Sequence, residues 1–223
     1  MKSLKMSFAA LMISAVCVTP VYAQFGGLGS MLGGSKPAAG GDVGAQVVDF
    51  MTRSAVVSVL ASNSLAKINA AFDSEEALVR RRKEQEELAK ITDTNEKQAR
   101  AAKIYESERA EAEKLSKSAD LQERMKNLDA DKKKRIGQAL FNFAIGALQA
   151  PGLVQSGQNI VQGVGANPMN ITRVIPVKDA LPLLGKVVSD AGSTIATFVK
   201  VAQGADISVP QAKADSKPSE EQL

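Results

Sequence analysis

The side chains capable of chemistry in this sequence are carboxylates, amines, guanidinium groups and hydroxyls, because histidine is absent and the single cysteine is Cys17. Without histidine there is no Ser-His or Cys-His nucleophile pair and no imidazole-ligated metal. Paired carboxylates and Ser-Lys dyads are the remaining routes to catalysis. Between Asp73 and Lys117 there are 12 acidic and 11 basic residues, so carboxylates are plentiful. The apolar residues among them are too few to wall off a pocket that would shift a pKa, and the carboxylates are expected to be solvated. A glycine-rich stretch from Gly26 to Gly34 follows no strand, opens no helix and lacks a Gly-Lys-Ser or Gly-Lys-Thr ending, so it is not a phosphate cradle. No catalytic residue, cofactor or metal ligand is assigned, and neither an enzyme nor a small-molecule substrate is expected.

The N-terminus carries the strongest directional signal. Lys2 and Lys5, an apolar run from Phe8 to Val18, Pro20 and then Val21-Tyr22-Ala23 follow the order of a secretory signal peptide. The apolar run is too short to span a bilayer, and cleavage is expected near Ala23. The expected location is therefore periplasmic or secreted, in a bacterial envelope. Removal of residues 1–23 takes away Cys17 and two lysines, leaving 26 basic against 24 acidic residues. A chain without cysteine depends on packing rather than disulfides, and a net charge of +2 gives no reason to expect nucleic acid as a partner.

The elements that would position any functional group are helices. Residues 24–41 read as a Gly-rich flexible leader, after which Ala45 to Ile136 is a run of 92 residues with neither glycine nor proline, the two residues that most often interrupt helices. A first helix is expected over Val43 to Phe72, capped by Asp42, with an apolar stripe wide enough to be buried against more than one neighbour. A capping box at Asp73 and Glu76 then opens a charged arm, residues 73–135. Pairs such as Glu96 to Arg100 and Glu113 to Lys117 sit at the spacing that supports a helix, and a narrow seam of Leu78, Leu88, Ile91, Ala99, Ala102, Tyr105, Ala112 and Leu115 can bury one partner helix. Thr92 to Asn95 is the expected bend. The basic run Lys132 to Arg135 has Asp129 and Asp131 beside it and reads as a solvated helix face rather than a lipid-binding patch.

From Ile136 to Thr172 the chain carries no formal charge. A helical hairpin is expected over residues 136–172, turning at Pro151-Gly152, with Gln138, Asn142, Gln149, Ser156 and Asn159 as an uncharged polar stripe. Its first limb would reach roughly 22 Å, short of the ~30 Å of bilayer hydrocarbon. It either packs on the first helix or contacts membrane through Leu140, Phe141, Phe143, Ile145 and Leu148. Val174 to Val177 and Ile207 to Val209 read as extended connectors. Between them lies a heptad helix, residues 178–203, capped by Asp179 and closed by Gly204, whose seam Val177, Leu181, Leu184, Val188, Ala191, Ile195, Phe198, Ala202 alternates steps of four and three. Leu181, Leu184, Val188, Ile195 and Phe198 are the candidate interaction residues, for a protein partner or for self-association. Residues 210–223 read as a disordered tail.

The fold expected is all-α: an elongated helical bundle with a long charged coiled-coil-like arm, in a single helical domain over 42–209. The function expected is that of an exported, non-enzymatic interaction, scaffold or chaperone-like module, with a membrane-active protein inserting through residues 136–165 as the alternative. In outline, the signal peptide, modest size and charged helical arms resemble periplasmic holdase chaperones with tentacle-like helices, without their opening β-strand pattern.

Overall fold

Helix propensity without glycine or proline requires some other residue type to break the chain, and here serine and aspartate do so. The computed structural model describes residues 43–164 and 171–219, so the expected signal peptide, the Gly-rich leader and the loop at 165–170 lie outside the described residues. Seven α-helices are described: α1 Val43–Ala70, α2 Glu75–Lys90, α3 Thr94–Ser116, α4 Leu121–Lys126, α5 Ala130–Val164, α6 Ile175–Asp190 and α7 Ala196–Gln203. A 3-10 turn, Thr172–Val174, leads into α6, and a π turn, Ala191–Ile195, joins α6 to α7. No strand occurs among the described residues, and the protein is all-α.

The caps show how the long run is divided. Asp93 accepts from the Glu96 amide at 2.8 Å and opens α3, beside the expected bend. Asp129 likewise accepts from the Lys132 amide at 2.8 Å, at the start of α5. The capping box at Asp73 does not form. Ser74 is the N-cap of α2, because the Asp73 carboxylate is taken by the Arg81 guanidinium.

α1 is the central helix and packs against α3, α5 and α6, as its broad apolar stripe requires. Contacts fix the directions. Asn69 of α1 meets Glu108 of α3, and Val59 packs with Ala101 and Ile104, so α3 runs parallel to α1 with α2 as the return limb. Phe50 lies at Gly157 and Val57 at Gly146, which makes α5 antiparallel to α1. The charged segment is thus not one rod; it folds into α2, α3 and α4, and α3 lies along the body. Its buried residues are Gln98, Ala101, Ile104, Tyr105, Glu108 and Ala112; of the expected seam Tyr105 and Ala112 are among them, Ala102 and Leu115 pack beside the core, and Ala99 is exposed next to the buried Gln98.

Two expectations about the second half are overturned. There is no hairpin at Pro151: α5 is one helix of 35 residues with Pro151 inside it. Pro151 and Gly152 both lie on the exposed face, where water can serve the carbonyl that proline leaves unbonded. The heptad helix begins earlier than expected, at Ile175 with Pro176 in its first turn, so residues 174–177 are not an extended connector, Asp179 is not the cap and Pro182 is interior. Gly204 closes the helix as expected, as the C-cap whose amide donates to the Lys200 and Ala202 carbonyls. The chain reverses at Asp206, whose φ is 58°, with Ile207 donating to the Ala202 carbonyl at 2.9 Å and Asp206 to Gln203 at 3.3 Å. This is the double bond of a Schellman closure, with its hydrophobic contact supplied by the buried Ile207 and Ala202.

The chain after that closure crosses the start of α5, where only glycine fits. A β-carbon on Gly137 would overlap the Ser208 carbonyl oxygen, and backbone cannot step aside as a side chain can. Gly137→Ala is expected to lower stability by about 1–3 kcal/mol, read as a drop in melting temperature; an unchanged melt would show that residues 205–209 are not held against α5.

Candidate functional site

Two polar assemblies lie inside the bundle, both built on α3. In the first, Arg81 of α2 is 3% exposed and directs Nε to Asp73, Nη1 to Glu108 and Nη2 to Glu111. The Asn69 amide of α1 adds a second tie, donating to Glu108 Oε2 at 2.7 Å and to the Glu108 carbonyl at 2.9 Å. Burial alone would lower the Arg81 pKa, but its hydrogen bond to Asp73 and the charges of Glu108 and Asp73 hold it above the usual arginine range. Burial pushes the Glu108 carboxyl up, with Arg81 and Asn69 pulling against it.

The second assembly joins α3 to α6. Asp190, 1% exposed, accepts through Oδ2 from the Tyr105 hydroxyl at 2.6 Å and from Arg109 Nε at 2.7 Å. Burial and then the Asp190 contact raise the Tyr105 hydroxyl above the usual tyrosine range. The π turn begins at the next residue, and its extra residue resets the phase of the buried face. Before it Val177, Ala180, Leu184 and Val187 face inward; Ile195, its last residue, and then Phe198 and Ala202 do so.

These clusters correct the expectation that the carboxylates of the charged segment are all solvated. Glu108 is buried, and a desolvated carboxyl with a raised pKa is the kind of group that can serve as a general acid. Its surroundings argue for a tie instead, since Arg81 and Asn69 occupy it from two neighbouring helices. Among the described residues no group of three or more Asp or Glu side chains is placed to hold a metal ion. Of the expected i to i+4 surface pairs Glu113–Lys117 forms, at 2.7 Å, whereas Arg100, expected opposite Glu96, reaches across to Glu87 of α2 at 3.3 Å.

The candidate interaction residues fall mostly in the core. Leu184 and Phe198 are fully buried, Ile195 is 4% exposed and Leu181 is half-buried beside Gly157, leaving Val188 at the surface with 38% exposure. That seam is consumed by packing on α1 and α5. Of the candidate membrane-contact residues, Leu140, Phe143 and Ile145 are fully buried, Phe141 is half-buried, and only Leu148 is exposed, at 51%.

The polar stripe of α5 has a use that was not expected. Residues 210–219 are not a free tail: they lie along α5, held by its amides. Asn142, 6% exposed, donates to the Ser219 carbonyl at 3.1 Å and accepts from the Ser219 amide at 2.8 Å. Gln149 donates to the Ala214 carbonyl at 2.7 Å. The tail rises along α5 from Ser208 at Gly137 to Ala214 at Gln149, turns, and comes back antiparallel to the helix from Ala214 to Ser219. Main-chain groups on the tail have no sequence signature, so the stripe was visible in the sequence and its occupant was not. No family model matches this chain, and no curated protein or solved structure matches it either.

Proposed function

We propose that this chain is an exported, non-enzymatic helical module of the bacterial envelope that works by binding other polypeptides, as a scaffold or chaperone-like partner. The observation that carries this reading is the employment of the buried ionic side chains. Arg81, Glu108 and Asp190, the groups whose desolvation would suit them to catalysis, each join two or more helices, and side chains so engaged are not free to turn over a substrate. The signal-peptide pattern of residues 1–23 supports the location. A membrane-active reading through residues 136–165 would have to draw Leu140, Phe143 and Ile145 out of the core. α1 is the one helix among the described residues with the length and apolarity to cross a membrane, and core helices pass the same test.

Expression of the full chain in a bacterium, followed by osmotic shock, alkaline carbonate extraction and intact-mass measurement, tests the proposal. The expected product is released by shock, remains soluble in carbonate and has the mass of residues 24–223. A carbonate-resistant membrane form, or a full-length product kept in the cytoplasm, would overturn it.

A further inference from the structure

The amides of α5 hold a stretch of polypeptide by its main chain, and they hold it incompletely. At Asn142 the match is two-sided, donor to carbonyl and acceptor to amide of the same residue, Ser219, whose hydroxyl also donates to Asn142 Oδ1 at 3.3 Å. At Gln149 it is one-sided: Nε2 is used, while Oε1 is buried with no partner. One turn before Asn142 on the same face, Gln138 also has a buried Oε1 with no partner. Unpaired buried acceptors cost stability; here one belongs to a residue that holds the tail, Gln149, and the other, Gln138, lies on the same face one turn before Asn142.

The geometry explains why the tail leaves them unfilled. Asn142 and Gln149 are separated by about 10.5 Å along the helix axis, a distance that three extended residues cover at ~3.3 Å each. The tail takes five residues, Ala214 to Ser219, because it bends there: Ser216 donates to the Lys213 carbonyl at 3.1 Å, and the Lys213 amide to Ser216 Oγ at 3.0 Å. Gln138 and Asn142 are about 6 Å apart, close to the two-residue repeat of an extended chain. A straight chain therefore matches the spacing of these amides better than the bent tail does. The tail has little else to hold it, since Lys213, Ala214, Asp215 and Lys217 are all exposed.

We propose that Gln138, Asn142 and Gln149 form a binding face for an extended segment of a protein partner, read through its main chain, and that residues 210–219 cover this face until the partner displaces them. The inference rests on the interaction-module reading and names the class of partner: an extended polypeptide with small or polar side chains, bound antiparallel to α5. Recognition by main chain makes the face tolerant of sequence, and coverage in cis keeps it from unselective pairing.

The test uses the chain of residues 24–223 with the tail weakened rather than removed. Ser219→Pro deletes the amide that Asn142 accepts. Two fluorescein-labelled peptides serve as probes: one with the sequence of residues 211–219, and one of equal length made only of Ser, Ala and Thr. By fluorescence anisotropy, both are expected to bind Ser219→Pro about tenfold more tightly than the unmodified chain, the value of one or two hydrogen bonds. Adding Asn142→Ala is expected to lose that gain and Gln149→Ala to lose part of it; if circular dichroism shows that Asn142→Ala unfolds, Gln149→Ala decides. Absence of saturable binding to a folded Ser219→Pro chain, indifference to both amide substitutions, or binding of the 211–219 peptide alone would each overturn the proposal. Such a result leaves the fractionation experiment untouched, so the two readings fail separately.

Discussion

Replacing Arg81 by methionine is expected to remove about 3–5 kcal/mol of stability, the usual consequence of stripping one partner from a buried ion pair. Methionine keeps the unbranched stem and much of the volume, so packing changes little. What is lost is the cation that Asp73, Glu108 and Glu111 share. Glu108 is the most exposed to the loss electrostatically because it is the most buried: its side chain is 4% accessible against 17% for Asp73 and 44% for Glu111. Urea denaturation followed by circular dichroism reads the effect as a shift in midpoint.

Two further measurements separate a lost charge pair from general damage. Adding Glu108→Leu to Arg81→Met is expected to recover part of the stability, since the uncompensated buried charge is then gone. The second is pH. The folded-state pKa of Glu108 is raised, so this group favours the fold below its unfolded value of about 4.3, and that contribution is lost as pH rises through the folded value. Without Arg81 the folded value rises further. The Arg81→Met penalty should therefore be smaller at mildly acidic than at neutral pH. A penalty below about 1 kcal/mol, or one independent of pH, would mean that water rather than Arg81 solvates Glu108.

This cluster also shows where sequence reasoning stops. Apolar periodicity located α1 to within two residues at its end, 70 against 72, because its stripe and its neighbours are both apolar. The same reasoning found Tyr105 and Ala112 of the α3 seam but missed Gln98 and Glu108, which are buried, since only a partner elsewhere in the chain makes a buried carboxylate acceptable. Asp73 has the same ambiguity: its side chain can cap α2 or pair with Arg81, and local sequence favours the first. For a related reason Pro151 does not end α5: on an exposed face water can serve the freed carbonyl and the helix can continue past the ring. That is a matter of which face is exposed. For the candidate binding face, the residues Gln138, Asn142 and Gln149 were evident as an uncharged stripe. Their ligand was not, because it offers main chain.

Asp190→Ala is expected to cost about 2–3 kcal/mol, from two hydrogen bonds to a charged acceptor. It leaves the fully buried Tyr105 hydroxyl without its acceptor. Arg109 suffers less, because its side chain is one-third exposed and water replaces the lost carboxylate. Tyr105→Phe should cost less than Asp190→Ala, about 1–2 kcal/mol, since Arg109 still pairs Asp190. The double variant should be less destabilised than the sum, because each change removes the reason for part of the other's penalty. Tyr22 and Tyr105 are the only tyrosines and tryptophan is absent, so in a chain of residues 24–223 tyrosinate absorbance and fluorescence report on Tyr105 alone. Its folded pKa is raised; stability from this group is complete below the unfolded value of about 10 and is lost as pH climbs from there through the folded value. The folded chain should therefore show no tyrosinate until alkali unfolds it, and wild type should lose its advantage over Tyr105→Phe above that pH. A tyrosine that titrates near its ordinary value in the folded chain would mean that α3 and the π turn of residues 191–195 do not close over Tyr105 in solution.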